Sequence, residues 1–156
     1  MANNLFMLRA IELAELNMLA NKGGPFGAVI VKNDQIIAEG WNCVTSNNDP
    51  TAHAEIIAIR NACNTLNNFS LAGCTIYTSC EPCPMCLSAI YWAHLDNVFY
   101  AANRHDAAAI GFDDAMIYQE VTKSIQQRKI SFVQLMRQEA LIPFNKWQAK
   151  ADKKPY

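Results

Sequence analysis

The chain has 156 residues, 51% of them hydrophobic and 17% charged, which suits one hydrophobic core and predicts a single domain, residues 1–156. Lysine and arginine total 13 against 14 for aspartate and glutamate, so the net charge of -1 gives no overall basic surface for nucleic acid. Six cysteines, without a signal peptide or an apolar stretch of membrane-spanning length, favour reduced thiols in the cytoplasm over a secreted disulfide scaffold or a membrane protein.

Apolar periodicity predicts alternating helices and strands along the whole chain. Helices are expected where apolar residues recur at helical spacing, and strands where short apolar runs contain β-branched residues. In chain order the predicted elements are helix 4–21, strand 26–32, strand 35–41, a helix from Asp49-Pro50 to about 66, strand 74–78, helix 85–94, strand 97–102, mixed loop and helix 106–120, strand 130–135, and a helix 137–150 broken or started by Pro143. This order implies a mixed sheet with helices on both faces.

Two predicted helix starts carry the residues of greatest chemical interest. Asp49 can cap one helix with Pro50 at its first position, which places His53 and Glu55 near the first turn. A helix N-terminus carries partial positive charge, which favours an ionised Glu55. Pro82 or Pro84 starts the other helix, with Cys83 and Cys86 at its beginning. We expect the two helix starts to meet over the sheet and to bring the histidine and both cysteines to one metal.

His53, Cys83 and Cys86 offer one imidazole and two thiolates, the ligand set of a tetrahedral zinc site. Three protein ligands leave one position for water, as in a catalytic zinc site. Glu55 follows the histidine by two residues and is free to move protons. A His-x-Glu sequence followed by Pro-Cys-x-x-Cys is the signature of zinc deaminases that act on nucleobases.

Three other interpretations of these residues remain open. Cys83 and Cys86 could form a redox pair, or a structural zinc could take a fourth ligand from Cys80 or Cys74. A zinc-stabilised binding module without turnover is the third. None of the three requires a carboxylate beside the histidine, so the pattern favours a catalytic zinc with Glu55 as the proton shuttle.

Beyond the metal motif, most of the chain resembles the cytidine deaminase superfamily, and in its outer segments the small bacterial guanine deaminases. The segments that carry the resemblance are 26–31, Asn42, 49–55, 78–86, 89–93, 99–102, 111–114 and 153–156. The resemblance implies a three-layer α/β/α fold around a five-stranded mixed sheet, one zinc per subunit, and hydrolysis of guanine to xanthine and ammonia. It also implies a homodimer in which the C-terminal segment is swapped between subunits.

The resemblance further implies roles for residues around the metal. Asp114 would assist proton transfer to the departing amine, and Glu55 would be the main catalytic acid and base. The residues implied to bind the base are Phe26, Asn42, Ala54, Trp92 and, from the neighbouring subunit, Tyr156.

Each implied role has a simpler structural alternative. Phe26 and Trp92 could be core residues, Asn42 could order its loop, Asp114 could cap a helix, and Tyr156 could be a frayed chain end. The alternative function is a tRNA adenosine deaminase, or another nucleobase or nucleoside deaminase of the superfamily. Recognition of tRNA needs a basic surface, so the net charge of -1 argues against nucleic acid as a partner.

Overall fold

The computed structural model describes residues 3–155, and the chain divides into two compact units between Asp114 and Ala115. The first unit contains α1 (Asn4–Leu19), β1 (Gly27–Lys32), β2 (Gln35–Trp41), α2 (Val44–Asn47), α3 (Ala54–Leu66), β3 (Thr75–Cys80), α4 (Pro84–Trp92), β4 (Asn97–Ala102) and α5 (Arg104–Ala109). The second contains α6 (Ala115–Thr122), a 3-10 turn at Ile125–Gln127 and α7 (Arg137–Ala149), which continues through Pro143. None of the helices described has the length and apolarity needed to cross a lipid bilayer.

The first unit is built on a mixed sheet with the strand order β2-β1-β3-β4. β1 pairs antiparallel with β2 and with β3, whereas β3 and β4 are parallel. Alternate side chains of β1 point to opposite faces, so Ile30 packs in a core cluster with residues of α3 and α4, and Val29 packs in a second cluster with residues of α1. These two clusters confirm the expected layering of helices on both faces of the sheet.

The expected fifth strand at residues 130–135 is wrong. Within residues 3–155 the strand pairings join four strands, and this segment is irregular. Ile130, Val133 and Leu135 are 73%, 74% and 78% exposed. Their apolar character resembles that of a strand, but a strand also needs a neighbouring backbone to complete its hydrogen-bond ladder.

The helix that carries Glu55 begins later than the sequence predicted. α3 starts at Ala54 with His53 as its N-cap residue. The Asp49 carboxylate, which we expected to cap the helix, instead accepts hydrogen bonds from the backbone N–H of Thr51 at 2.8 Å and from its hydroxyl at 2.7 Å. Asp49 therefore closes a turn before the helix, and His53 occupies the position at the helix start.

Gly40 allows β2 to lie directly against α3. A Cβ at this position would overlap the carbonyl oxygen of Ala54 and lie 2.5 Å from the backbone nitrogen of Ala58. We expect Gly40→Ala to lower the free energy of unfolding by about 3 kcal/mol, because the backbone of α3 must shift to accommodate the methyl group. Urea denaturation followed by circular dichroism measures this loss.

Gly73→Ala is the matched control for that substitution. Its Cβ would meet nothing within 4 Å, but the backbone has a φ of +80°, so only local strain of about 1 kcal/mol is expected. Both variants lose the same glycine flexibility in the unfolded chain. A smaller loss at Gly40 than at Gly73 would contradict the close approach of β2 and α3.

Candidate metal centre

Three side chains converge where α3 and α4 begin. His53 is the N-cap residue of α3, Cys83 is the N-cap residue of α4, and Cys86 lies in the first turn of α4. The His53 Nδ1 atom is 3.6 Å from the Cys83 Sγ atom and 3.5 Å from the Cys86 Sγ atom. All three ligand atoms lie within 4.8 Å of one another. The sequence prediction that two helix starts bring these residues together is confirmed.

These separations fit a tetrahedral zinc ion. Zinc–nitrogen and zinc–sulfur bonds of about 2.05 and 2.3 Å at the tetrahedral angle place nitrogen and sulfur about 3.6 Å apart. Among the residues that the structure describes, the group contains no fourth histidine, cysteine, aspartate or glutamate. Cys80 and Cys74, the candidate fourth ligands, are therefore outside the set, and the geometry fits a site with one open position.

The proton affinities of the three ligands reflect their close packing. A hydrogen bond with Cys86, together with His53, lowers the pKa of Cys83 to about 4 despite its partial burial. The same hydrogen bond and burial raise the pKa of Cys86, and the contact with Cys83 raises the pKa of His53. The lowered pKa of Cys83 favours its thiolate form, the form that binds a divalent cation, whereas Cys86 and His53, with raised pKa values, would release protons as the cation binds.

Glu55 lies in the first turn of α3, next to the ligand group, and is only 6% exposed. Burial raises the pKa of its carboxyl group. The helix N-terminus was expected to favour the ionised form, but removal from water has the larger effect at this position. A raised pKa favours the protonated form, so this carboxyl group can hold a proton and donate it to a molecule in the site.

A cavity of about 410 Å³ opens beside the ligands. Its lining includes the predicted site residues Phe26, Asn42, His53, Glu55, Cys83 and Asp114. Burial raises the pKa of Asp114, and the nearby Cys83 thiolate adds to the shift. The cavity wall therefore combines apolar surface with two carboxyl groups of raised pKa, those of Glu55 and Asp114. This combination is typical of acid–base chemistry.

The amide of Asn42 has a fixed orientation in this cavity. Its Oδ1 atom accepts hydrogen bonds from the backbone N–H of Gly24 at 3.1 Å and of Val44 at 3.2 Å. Because both bonds go to the oxygen, the Nδ2 amino group is the part of the amide that remains to donate. The residue orders its loop, as the simpler interpretation expected, and also lines the cavity.

Phe112 lies on the cavity wall and was not assigned a role from the sequence. Its ring meets the ring of Phe26 edge to face, with centroids 4.9 Å apart and an interplanar angle of 90°. The two rings form one apolar wall, which would suit a flat aromatic molecule. The only sequence signal was its place in the matched segment 111–114.

Gly111 directs the chain from α5 back into the cavity. Its φ is +96°, its N–H donates to the Ala108 carbonyl at 3.0 Å, and the Phe112 N–H donates to the Ala107 carbonyl at 3.0 Å. This pair of bonds is a Schellman motif, which ends a helix with a glycine in a left-handed conformation. Phe112 and Asp114 are placed by this turn.

Three predicted base-binding residues do not line the cavity of the described chain. Ala54 is fully buried between His53 and Glu55, and only its backbone could take part. Trp92, at the end of α4, is 65% exposed. Tyr156 lies outside the described residues. The roles of these three residues stay predictions.

Comparisons with known proteins agree with the geometry. The sequence profile of the cytidine and deoxycytidylate deaminase zinc-binding region matches residues 1–102. A guanine deaminase of Bacillus subtilis (strain 168) is 55% identical over 156 residues, which is 100% of both chains. An X-ray structure of guanine deaminase from the same species superposes with a TM-score of 0.96 over 100% of this chain and 99% of the other.

A second group of relatives acts on RNA. A tRNA-specific adenosine deaminase of Haemophilus influenzae is 38% identical over 131 residues, 76% of each chain. The similarity to this enzyme is lower and covers less of the sequence than the similarity to the Bacillus protein.

Proposed function

The chain belongs to the cytidine and deoxycytidylate deaminase zinc-binding family, and we propose that it hydrolyses guanine to xanthine and ammonia. The observation that carries this proposal is the 55% identity to a guanine deaminase along the whole chain. It extends past the shared zinc motif into the segments around Asp114 that form part of the cavity wall. The product pair requires one water molecule, whose oxygen replaces the exocyclic amine of the base.

The metal is zinc, since the family binds zinc and the donor set of His53, Cys83 and Cys86 fits it in geometry and chemistry. When bound, zinc lowers the pKa of its bound water to about 7, so that water becomes a nucleophile near neutral pH. The described residues contain one such ligand group, which corresponds to one ion per subunit.

Glu55 is the proposed proton shuttle. Its buried carboxylate would take a proton from the attacking water, deliver it to a ring nitrogen of guanine, and then help to protonate the leaving amine. Its position beside His53 in the cavity and its raised pKa support this assignment.

The base would lie against the apolar wall of Phe26, with the Nδ2 group of Asn42 donating to an acceptor on its edge. The amide orientation supports that direction, because Oδ1 is engaged by Gly24 and Val44. We propose further that the backbone of Ala54 holds the base, that Trp92 forms a second apolar wall, and that the partner subunit's Tyr156 helps to close the site. These three assignments rest on the family resemblance.

Asp114 is the second proposed catalytic carboxyl group, assisting proton transfer to the departing amine. Asp114→Asn should reduce kcat on guanine by about 100-fold, because the amide cannot exchange protons in the same way. Steady-state ammonia release at saturating guanine measures the effect. An unchanged kcat in a variant that keeps its zinc would remove Asp114 from the catalytic machinery.

We propose that the protein works as a homodimer with a swapped C-terminal segment. Large apolar side chains of the second unit support the idea, because Val133, Leu135 and Phe144 are 74%, 78% and 68% exposed in the single chain. An exposed apolar surface of this kind commonly marks an association site. All six cysteines lie within the described residues and are outside disulfides, which supports the proposed cytoplasmic location.

Deleting Pro155 and Tyr156 should lower guanine turnover at least about tenfold if the tail closes a site. Co-expression tests whether it acts across the dimer. A full-length Glu55→Gln chain supplies a tail, and a tail-deleted chain supplies an intact Glu55. Random pairing should restore about a quarter of wild-type activity per site. No recovery in isolated mixed dimers, or full activity of the tail-deleted chain alone, would contradict the swap.

A substrate panel tests the function itself. Ammonia release is compared for guanine, guanosine, adenine, cytosine and a tRNA anticodon stem-loop, with zinc content measured for the same preparation. Release from guanine and none from the stem-loop is expected. The opposite result would assign the chain to the tRNA adenosine deaminases, and no release from any substrate by the zinc-loaded protein would favour a binding module.

A further inference from the structure

Glu81 connects the metal-binding loop to the start of α5, and both Glu81 and Arg104 line the cavity. It lies between Cys80, the last residue of β3, and the ligand Cys83. Its half-buried carboxylate accepts a hydrogen bond from the backbone N–H of Arg104 at 3.0 Å. Its own N–H donates to the carbonyl of Ala102 at 2.8 Å. Both bonds tie the loop to the end of β4 and the beginning of α5.

The helix that Glu81 holds has only six residues, Arg104–Ala109. Helices of this length are not stable alone, so their position depends on what holds their ends. Arg104 N–H is one of the first donors of α5, which have no partner within the helix. Asn103 satisfies the next two, because its side chain accepts from His105 at 2.8 Å and from Asp106 at 3.1 Å.

The C-terminal end of α5 leads into the cavity wall. The Schellman turn at Gly111 follows the helix directly and leads to Phe112 and Asp114. A shift of α5 relative to the metal loop would therefore move the apolar wall and the second carboxyl group relative to His53 and Cys83. The hydrogen bond from the Arg104 N–H to the Glu81 side chain joins α5 to the loop that carries Cys83.

We propose that Glu81 is a positioning residue for the deamination, acting by holding α5, and thereby Asp114, in place against the metal ligands. The inference rests on the proposed function and on the proposed role of Asp114. Glu81 needs no contact with the base for this role. What it requires is a hydrogen-bond acceptor of the right length; its negative charge is not the essential feature.

Two conservative variants separate length from charge. Glu81→Gln keeps the length and an acceptor oxygen but loses the charge, so its kcat on guanine should stay within about twofold of wild type. Glu81→Asp keeps the charge but is one methylene shorter and cannot reach Arg104 N–H. Its kcat should fall about 10- to 100-fold, as should that of Glu81→Ala, because a small misplacement of a catalytic group has effects of that size. Zinc content should remain at the wild-type level in all three.

Asn103→Ala is the matched control, since it removes a cap from the same helix but leaves the bond to the metal loop intact. We expect it to lower the melting temperature while changing kcat by no more than about twofold. A double-mutant cycle then tests the route. In the Asp114→Asn background, Glu81→Ala should reduce kcat by no more than about a further twofold, because the group it positions is already disabled.

Each outcome decides the proposal. A loss in Glu81→Gln with full activity in Glu81→Asp would assign Glu81 an electrostatic role and overturn the inference. So would equal losses in Asn103→Ala and Glu81→Ala, or fully additive effects of Glu81→Ala and Asp114→Asn. If Glu81→Ala does not fold, the Gln and Asp variants still decide between length and charge. Wild-type protein without guanine turnover would instead refute the proposed function.

Discussion

Glu55→Gln should leave the zinc content unchanged and reduce guanine turnover by about 10²- to 10⁴-fold, the usual contribution of a general acid–base residue. The two side chains have nearly the same shape, so the buried position at the start of α3 can accept glutamine without a cavity. The amide cannot take a proton from water at neutral pH and return it to the base. Single-turnover ammonia release, with metal content determined on the same sample, measures the effect.

Glu39→Gln is the control for that experiment. Glu39 is also a carboxylate of the first unit, but it is paired with Arg9 at 2.7 and 2.9 Å and is not part of the cavity. Its substitution should cost about 1 kcal/mol of stability and leave turnover near the wild-type value. Equal turnover in Glu55→Gln and wild type, with zinc present in both, would refute the shuttle.

The metal ligands could be predicted because each determinant lies close to its ligand in the sequence. Pro84 allows α4 to begin beside Cys83, and the spacing to Cys86 places both sulfurs at the first turn. His53 and Glu55 also lie close together in the sequence, with only Ala54 between them at the start of α3. Only the meeting of the two helix starts required the sheet, and the alternation of helices and strands already indicated it.

The errors arose where one local pattern fits two structures. Asp49-Pro50 is typical of a helix start, yet the Asp49 carboxylate forms a turn with Thr51, and the helix begins at Ala54. Residues 130–135 are apolar enough for a strand, but strand formation depends on a neighbouring strand that no local pattern supplies.

Residues that act through tertiary contacts gave no signal in a single sequence. Glu81 and Arg104 are 23 positions apart and meet only because β3 and β4 are parallel neighbours. Phe112 reaches Phe26 through the turn at Gly111, and a phenylalanine in that position was equally consistent with packing. The family resemblance identified the segment but not the contact.

Removing a metal ligand is expected to have the other large effect. Cys83→Ser should lose zinc and reduce guanine turnover by well over 100-fold, since even residues that only support metal ligands contribute about 10- to 100-fold.

Cys80→Ser is the matched control. Cys80 is a neighbouring buried thiol outside the ligand group, and its Sγ atom lies 3.7 Å from the Asn103 carbonyl. Zinc content by mass spectrometry should remain one per chain in this control, and loss of zinc would identify a fourth ligand and a closed structural site.

The same loss of metal should leave the chain folded. Small zinc domains unfold without their ion because the metal replaces a core. In this protein the ligands are held by the N-termini of α3 and α4, and both helices pack on a core that includes Ile30, Ile76 and Ile90. Cys83→Ser should therefore keep its far-ultraviolet circular dichroism and a cooperative melt, with activity lost in a folded protein. Unfolding of this variant at 25 °C would show that the ion holds the fold together, and a catalytic assignment for it would then lose its structural basis.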